Sequence, residues 1–317
     1  MGNRIKRRIL SFVLTLLIVS LFVFSSVSLA LGDSSSFVLS DEASSIAVED
    51  YRRTMGLDDN IFIRYLRFLG NFFTLNWGKT IGGEEIRKVI LDRLPVTLSL
   101  SFYSILFSTF FSILIVFFSL QKRGMKKSRI ISILSSAFLV LPSFLTSLLL
   151  VLIFSLWLKL FPVSGYSRIN NGFFMHFRSL FLPSLTLSLL HSSLMMRIMY
   201  STLKESLEMP YTNTALSKGM KEKSLVVSSA LKPSLPIFFT LISDSISSAL
   251  GGSCVVENVF ALPGMGSLMV KGALERDASL VSTCVMVVAF LVSFTFLVTD
   301  ILTDAVDPRI RRSNEKA

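Results

Sequence analysis

Long apolar runs alternate with charged, turn-forming segments from one end of the chain to the other. A hydrocarbon layer roughly 30 Å thick is crossed by about 20 apolar residues in a helix. Six runs reach that length with few charges: residues 9–31, 96–120, 130–158, 180–200, 235–256 and 280–302, the third being long and carrying Pro142 inside it. Spans of a β-barrel would alternate polar and apolar positions over tracts of about ten residues, and these Leu/Ile/Val/Phe runs do not alternate. The pattern predicts an all-α integral membrane protein with six transmembrane helices.

Composition agrees. The chain is 51% hydrophobic with a mean hydropathy of +0.65, above the roughly 45–50% apolar content of soluble domains. Its net charge of +11 would suggest nucleic acid in a soluble chain, but the distribution of charge reads as topology, and no nucleic acid is expected. Arg4, Lys6, Arg7 and Arg8 precede the first span, and Lys122, Arg123, Lys126, Lys127 and Arg129 fill the second connection. Arg197, Lys204, Lys218, Lys221, Lys223 and Lys232 flank or fill the fourth, and Arg309, Arg311, Arg312 and Lys316 end the chain. In the long segment 32–95, Asp41, Glu42, Glu49, Asp50, Asp58 and Asp59 offset the basic residues. The basic ends belong inside, so both termini are expected in the cytoplasm, which requires an even number of spans. The expected organisation is an N-terminal tail and first span over 1–31, an exterior segment over 32–95, a transmembrane core over 96–306 with a cytoplasmic loop over 201–232, and a tail over 307–317. The first span resembles a secretory signal, but its apolar stretch exceeds the usual core of about 7–15 residues, which favours an uncleaved anchor.

Within the exterior segment, Ile61 to Leu69 reads as an amphipathic helix suited to a membrane surface. Gly78-Lys79-Thr80 resembles the end of a phosphate-binding loop, but Phe73 stands where its first glycine is needed, so no nucleotide is expected on this chain. Cys254 and Cys284 lack metal-ligand spacing and read as small packing residues. His176 and His191 stand alone and read as structural.

The loop between the fourth and fifth spans is too regular for a plain connection. A helix through Glu205 is expected to end near Pro210, a short second helix to cover 211–218, and Gly219 to stop it. A third helical segment follows through Leu231, until Pro233 and Pro236 mark the start of the fifth span. A short helix tied between two spans is a lever; a solvated basic loop is the plainer reading. Inside the fifth span, Asp244 stands among Ser243, Ser245, Ser247 and Ser248 ahead of Gly251 and Gly252. An ionisable group at mid-membrane costs about 2.5–3.5 kcal/mol on insertion scales. Two readings fit Asp244, Ser247 and Ser248: the lining of an aqueous translocation path, or close helix packing through small residues. Asp300 and Asp304 lie near the end of the last span, where Arg309 and Arg311 offset them. Glu257, Pro263, Gly264 and Gly266 bound a tightly turned exterior stretch, read as a gate or as a simple turn.

The motif Glu205-Ser206-Leu207-Glu208-Met209-Pro210-Tyr211-Thr212-Asn213-Thr214-Ala215-Leu216-Ser217-Lys218-Gly219 closely resembles the cytoplasmic EAA loop of binding-protein-dependent ABC importer permeases, within them the dipeptide, oligopeptide and nickel permeases. Tyr51-Arg52-Arg53-Thr54-Met55-Gly56-Leu57-Asp58, Leu91-Asp92-Arg93-Leu94-Pro95, Val256-Glu257 through Pro263-Gly264-Met265-Gly266, Arg276-Asp277 and Asp307-Pro308-Arg309 extend the likeness over nearly the whole chain. The resemblance implies a type I ABC importer permease fold in the bacterial cytoplasmic (inner) membrane. The implied partners are a second homologous permease, two ABC ATPase subunits that use the ATP, an extracytoplasmic solute-binding protein and membrane lipid. It implies that Glu205, Tyr211, Thr214, Ala215, Lys218 and Gly219 couple to an ATPase, and that no cofactor or metal is held by this chain. Pro210 stands where the family usually has an acidic residue, and Asn213 and Leu216 where it has arginines, which alters the salt bridges available to the ATPase. The alternatives are an ion-driven secondary transporter using Asp244 and a non-transporting membrane scaffold.

Overall fold

Helix dominates the computed structural model of the chain, as it must where apolar backbone has no water to bond to. It describes residues 2–31, 59–120, 133, 136, 138–219 and 231–306. In order these form α1 (Gly2–Leu31), α2 (Ile61–Phe73), α3 (Ile86–Leu120), α4 (Ser143–Leu150), α5 (Phe173–Glu208), α6 (Pro210–Ser217), α7 (Leu231–Val259), α8 (Met265–Leu274) and α9 (Ala278–Val306). Among the described residues, five helical stretches are long and apolar enough to cross a membrane: Lys6–Val27, Ile86–Ser119, Phe173–Glu208, Leu235–Val259 and Ala278–Asp304.

The expected third span is built differently from a single kinked helix. Pro142 adopts an extended conformation (φ −58°, ψ 142°) and precedes a fresh helix, α4, which passes into a π-helical stretch over Val151–Trp157. Proline lacks the N–H that a continuous helix needs and disfavours helical dihedrals in the residue before it. By contrast, Pro95, Pro183 and Pro236 sit inside continuous helices. As a result α3 begins ten residues before the expected position 96, and α7 absorbs both Pro233 and Pro236 instead of starting after them. The expected third helical segment of the loop falls mostly on residues 220–230, outside the described residues, as do the stretches 51–58 and 307–311.

Two compact units divide the chain, one of residues 1–97 with 263–294 and one of residues 98–262 with 295–317. In the first, Phe24 of α1 packs on Tyr65 and Phe68 of α2 at ring distances of 5.7 and 5.8 Å, and Phe12 meets Phe290 of α9 at 5.9 Å. Trp77 stacks on Phe72 and donates from Nε1 to the Phe72 carbonyl. Gly78 and Gly83, at φ +78° and +85°, frame a tight turn bridged between Lys79 and Glu85. The phosphate-loop look-alike is therefore a hairpin turn leading into α3. Asp277, buried, fixes this turn to the start of α9: it accepts from the Leu280 N–H at 2.9 Å and from the Ile81 N–H at 2.8 Å.

In the second unit, α3, α5 and α7 share a core of Val116, Met195, Met196, Met199, Leu203, Phe238 and Leu241. Unbranched methionine fills irregular gaps and tolerates re-packing, so this core can yield without emptying. An aromatic cluster joins α3 to the first half of α5, with Phe107 and Phe181 at 5.4 Å and Phe161 stacked on Phe181 at 4.5 Å. Both histidines serve this packing. His176 donates from Nδ1 to the Ser167 carbonyl at 2.8 Å beneath the rings of Tyr103 and Tyr166, and His191 Nδ1 lies 3.4 Å from the Ser104 hydroxyl. Burial raises the Tyr166 hydroxyl above its ordinary pKa, with Arg168 pulling the other way, so the phenol stays neutral at physiological pH.

Candidate functional site

The loop after α5 is organised by one proline. Pro210 holds Met209 extended (φ −66°, ψ 146°), which stops α5 at Glu208, and then opens α6 at the first helical position, where a missing N–H costs nothing. That same missing N–H deprives the Ser206 carbonyl, four residues earlier, of its usual donor. Thr212 replaces it: its buried hydroxyl donates to Ser206 O at 3.0 Å, while its backbone N–H reaches Met209 O at 2.9 Å. The result is a clamp that fixes α6 to the last turn of α5.

Sequence reasoning did not single out Thr212, although a hydroxyl residue two positions after a helix-ending proline was the signal to follow. Thr212→Val keeps the shape and removes the donor. It should lower stability by about 1–3 kcal/mol, the cost of a buried carbonyl left without a partner, while Thr212→Ser should retain most of it; thermal unfolding of the purified protein in detergent checks both.

The remaining coupling candidates lie on or beside this device. Glu205 is exposed on the last turn of α5, and Tyr211 is the second residue of α6. Thr214 is exposed and donates from its hydroxyl to Pro210 O at 3.2 Å; Ala215 is half-buried; Lys218 is exposed and donates from its N–H to Thr214 O at 3.2 Å. Gly219 follows at φ +83°, with open space where a Cβ would stand. Its glycine is required by backbone conformation, not by crowding.

On α7, Asp244 is the tenth residue of the span Leu235–Val259 and is exposed. Its carboxylate has no hydrogen-bonding or ionic partner among the described residues. Thr240, Ser248, Gly251, Gly252, Val255 and Asn258 recur on the same helical face and are likewise exposed. Ser247 sits at the edge of this face, half-buried, its hydroxyl donating to Ser243 O at 2.9 Å. Ser243 is turned inward and hydrogen-bonds Thr299 of α9. Asp300 is exposed and Asp304 half-buried at the end of α9, while Arg309 and Arg311 lie outside the described residues.

The exterior stretch divides between the two units. In the second, Glu257 is buried and accepts from the Ser253 hydroxyl at 2.9 Å, and α7 closes with Ala261 in the left-handed region (φ +50°), its N–H on Asn258 O and the Leu262 N–H on Glu257 O. In the first, Pro263 is half-buried, and buried Gly264 precedes α8, its N–H donating to the Ser267 hydroxyl at 3.1 Å. Met265 donates from its N–H to Thr97 Oγ1 at 2.8 Å, and Gly266 is buried.

Residues 112–312 match the family described as binding-protein-dependent transport system inner membrane component, and residues 1–101 match that family's N-terminal region. The chain belongs to this family of ABC transporter permeases. Among relatives of the permease, the oligopeptide transport system permease protein AppB of Bacillus subtilis is 31% identical over 314 residues, covering 98% of this chain and 99% of that one. The dipeptide transport system permease protein DppB of Lactococcus lactis is 30% identical over 266 residues, covering 83% and 85%. The nickel import system permease protein NikB of Staphylococcus aureus is 25% identical over 308 residues, covering 96% and 90%. The chain is thus a transporter subunit of membrane permease fold.

Proposed function

We propose that this permease is one half of the membrane channel of an ATP-driven importer of peptides. It lies in a bacterial inner membrane with both termini in the cytoplasm. A second permease completes the channel, two ABC ATPases supply the power, and an extracytoplasmic solute-binding protein delivers the cargo. The observation that carries this reading is α6, a short helix clamped by Thr212 to the end of a spanning helix and released by Gly219. Nucleotide-driven movement of an ATPase against α6 passes through the Thr212 clamp to α5. From there it reaches α7 through the methionine-rich core that α5 and α7 share. The exposed face around Asp244 then changes its access from one side of the membrane to the other.

Asp244 supports this arrangement. A partnerless carboxylate at mid-span is too costly against acyl chains, so its face is turned to water or to another protein. The Pro263–Gly266 turn is proposed as the exterior gate, with buried Glu257 bracing the end of α7. Cargo follows the relatives' names, which favour peptides and leave nickel chelates open. An ion-coupled carrier would also use an exposed Asp244, but it gives α6 no task.

Pull-down of the tagged chain from its native membrane in mild detergent, with mass spectrometry of what co-purifies, tests the assembly. Recovery of a second permease and a P-loop ATPase supports the reading. A chain that purifies alone moves it to the ion-driven carrier or to a scaffold.

A further inference from the structure

The amphipathic helix α2 carries two apolar stripes side by side. Tyr65 and Phe68 pack on α1, and Phe72 on Trp77. The neighbouring stripe, Phe62, Leu66, Leu69 and Phe73 at helical spacing, is left without a cover: Phe62 is 64% exposed, Leu66 51% and Phe73 64%. Arg64, Arg67 and Asn71 occupy the opposite arc, where Arg67 pairs with Asp59 at 2.6 Å. Leaving such side chains in water forgoes the hydrophobic gain of burying them.

The contacts with α1 set the depth of this stripe. The Tyr65 hydroxyl lies 2.9 Å from Ser20 Oγ and donates to Leu17 O at 3.3 Å. The spanning stretch of α1 is Lys6–Val27, so Ser20 and Leu17 stand about 10 and 15 Å inside its C-terminal end at about 1.5 Å per residue. Phe24, which touches both Tyr65 and Phe68, lies only about 4–5 Å inside that end. A tyrosine reaching so far down brings its own helix below the level of the headgroups. Around it, α1 exposes Leu17, Ile18, Leu21 and Phe22 at the same depth, so both helices present uncovered apolar side chains at the level of the hydrocarbon core.

We propose that α2 is sunk into the leaflet at the C-terminal end of α1, and that acyl chains of that leaflet cover Phe62, Leu66 and Phe73. This is the exterior leaflet on the proposed topology. The helix is then a membrane-embedded element beside the first span, with its arginine-bearing arc turned towards the headgroups. It holds the long exterior segment against the bilayer at a fixed place beside α1.

The test uses the assembled transporter in lipid vesicles. A small fluorophore is attached at Leu66→Cys, at Phe62→Cys and, on the polar arc, at Asn71→Cys, in a chain carrying Cys254→Ala and Cys284→Ala. Lipids brominated on their acyl chains should quench the first two positions several-fold more strongly than position 71, and aqueous iodide should show the reverse order. Iodide quenching at position 66 equal to that at position 71 would overturn the proposal in favour of a water-facing helix. Protection from both quenchers would overturn it in favour of a covering protein. The unmodified chain gives a second reading: a photoreactive diazirine on lipid acyl chains should mark the peptide containing residues 61–73, and its absence from that peptide would count against lipid contact.

Discussion

Gly219→Val is expected to lower ATP-driven uptake about tenfold or more while membrane insertion, assembly and ATP hydrolysis persist, the tenfold corresponding to about 1.4 kcal/mol. At φ +83° a β-branched side chain clashes with its own backbone, at a cost of about 1–2 kcal/mol or more. No neighbour would meet the new Cβ, so the strain is relieved by rotating the backbone where the chain leaves α6. The helix then loses its fixed exit, and movement imposed on it is no longer passed to the spans. Gly219→Asn separates this account from a general loss of fold, because asparagine tolerates the left-handed region and should keep most of the coupling. Uptake and ATP hydrolysis measured together in reconstituted vesicles check both variants. Preserved coupling in Gly219→Val would remove the lever from the account.

Asp244→Ala should reduce uptake by about tenfold, again near 1.4 kcal/mol, with little change in the yield of assembled complex. The reason is the position of Asp244: exposed, in the middle of a span, and without a partner among the described residues. A packing residue would behave differently, since its loss would lower assembly and leave the surviving complexes active. Asp244→Asn asks whether charge or polarity is needed, and initial uptake rates normalised to assembled complex give the answer. Normal transport by Asp244→Ala would return the residue to a packing role.

What the sequence made legible follows from how local each cause is. The five long spans could be read because a bilayer imposes a length, and a run such as 280–302 is set by composition alone. The ends of α5 and α6 could be read because Pro210 and Gly219 act on their own dihedrals. Proline elsewhere was not legible. Pro142 breaks its run whereas Pro95, Pro183 and Pro236 remain inside helices, and a spanning helix keeps a proline only where its surroundings re-satisfy the freed backbone group, which the local sequence does not state. Thr212 was missed for the same reason, since its acceptor is a carbonyl six positions back that only the folded turn brings within reach. The polar side of α3 was hidden inside an apolar run: Ser104 meets His191, and Ser112 donates to the Ser192 carbonyl, both across to α5. Which serines of α7 face outward was also beyond composition, because Ser243, Ser247 and Ser248 differ in exposure although they are near neighbours in the chain.

The central claim is that α6 touches the motor. A photo-crosslinking residue in place of Thr214, exposed on α6, tests it most directly in native membranes. The account predicts an adduct with a P-loop ATPase whose yield changes when ATP is added. An intact complex in which Thr214 crosslinks only to lipid or to this chain itself would contradict it.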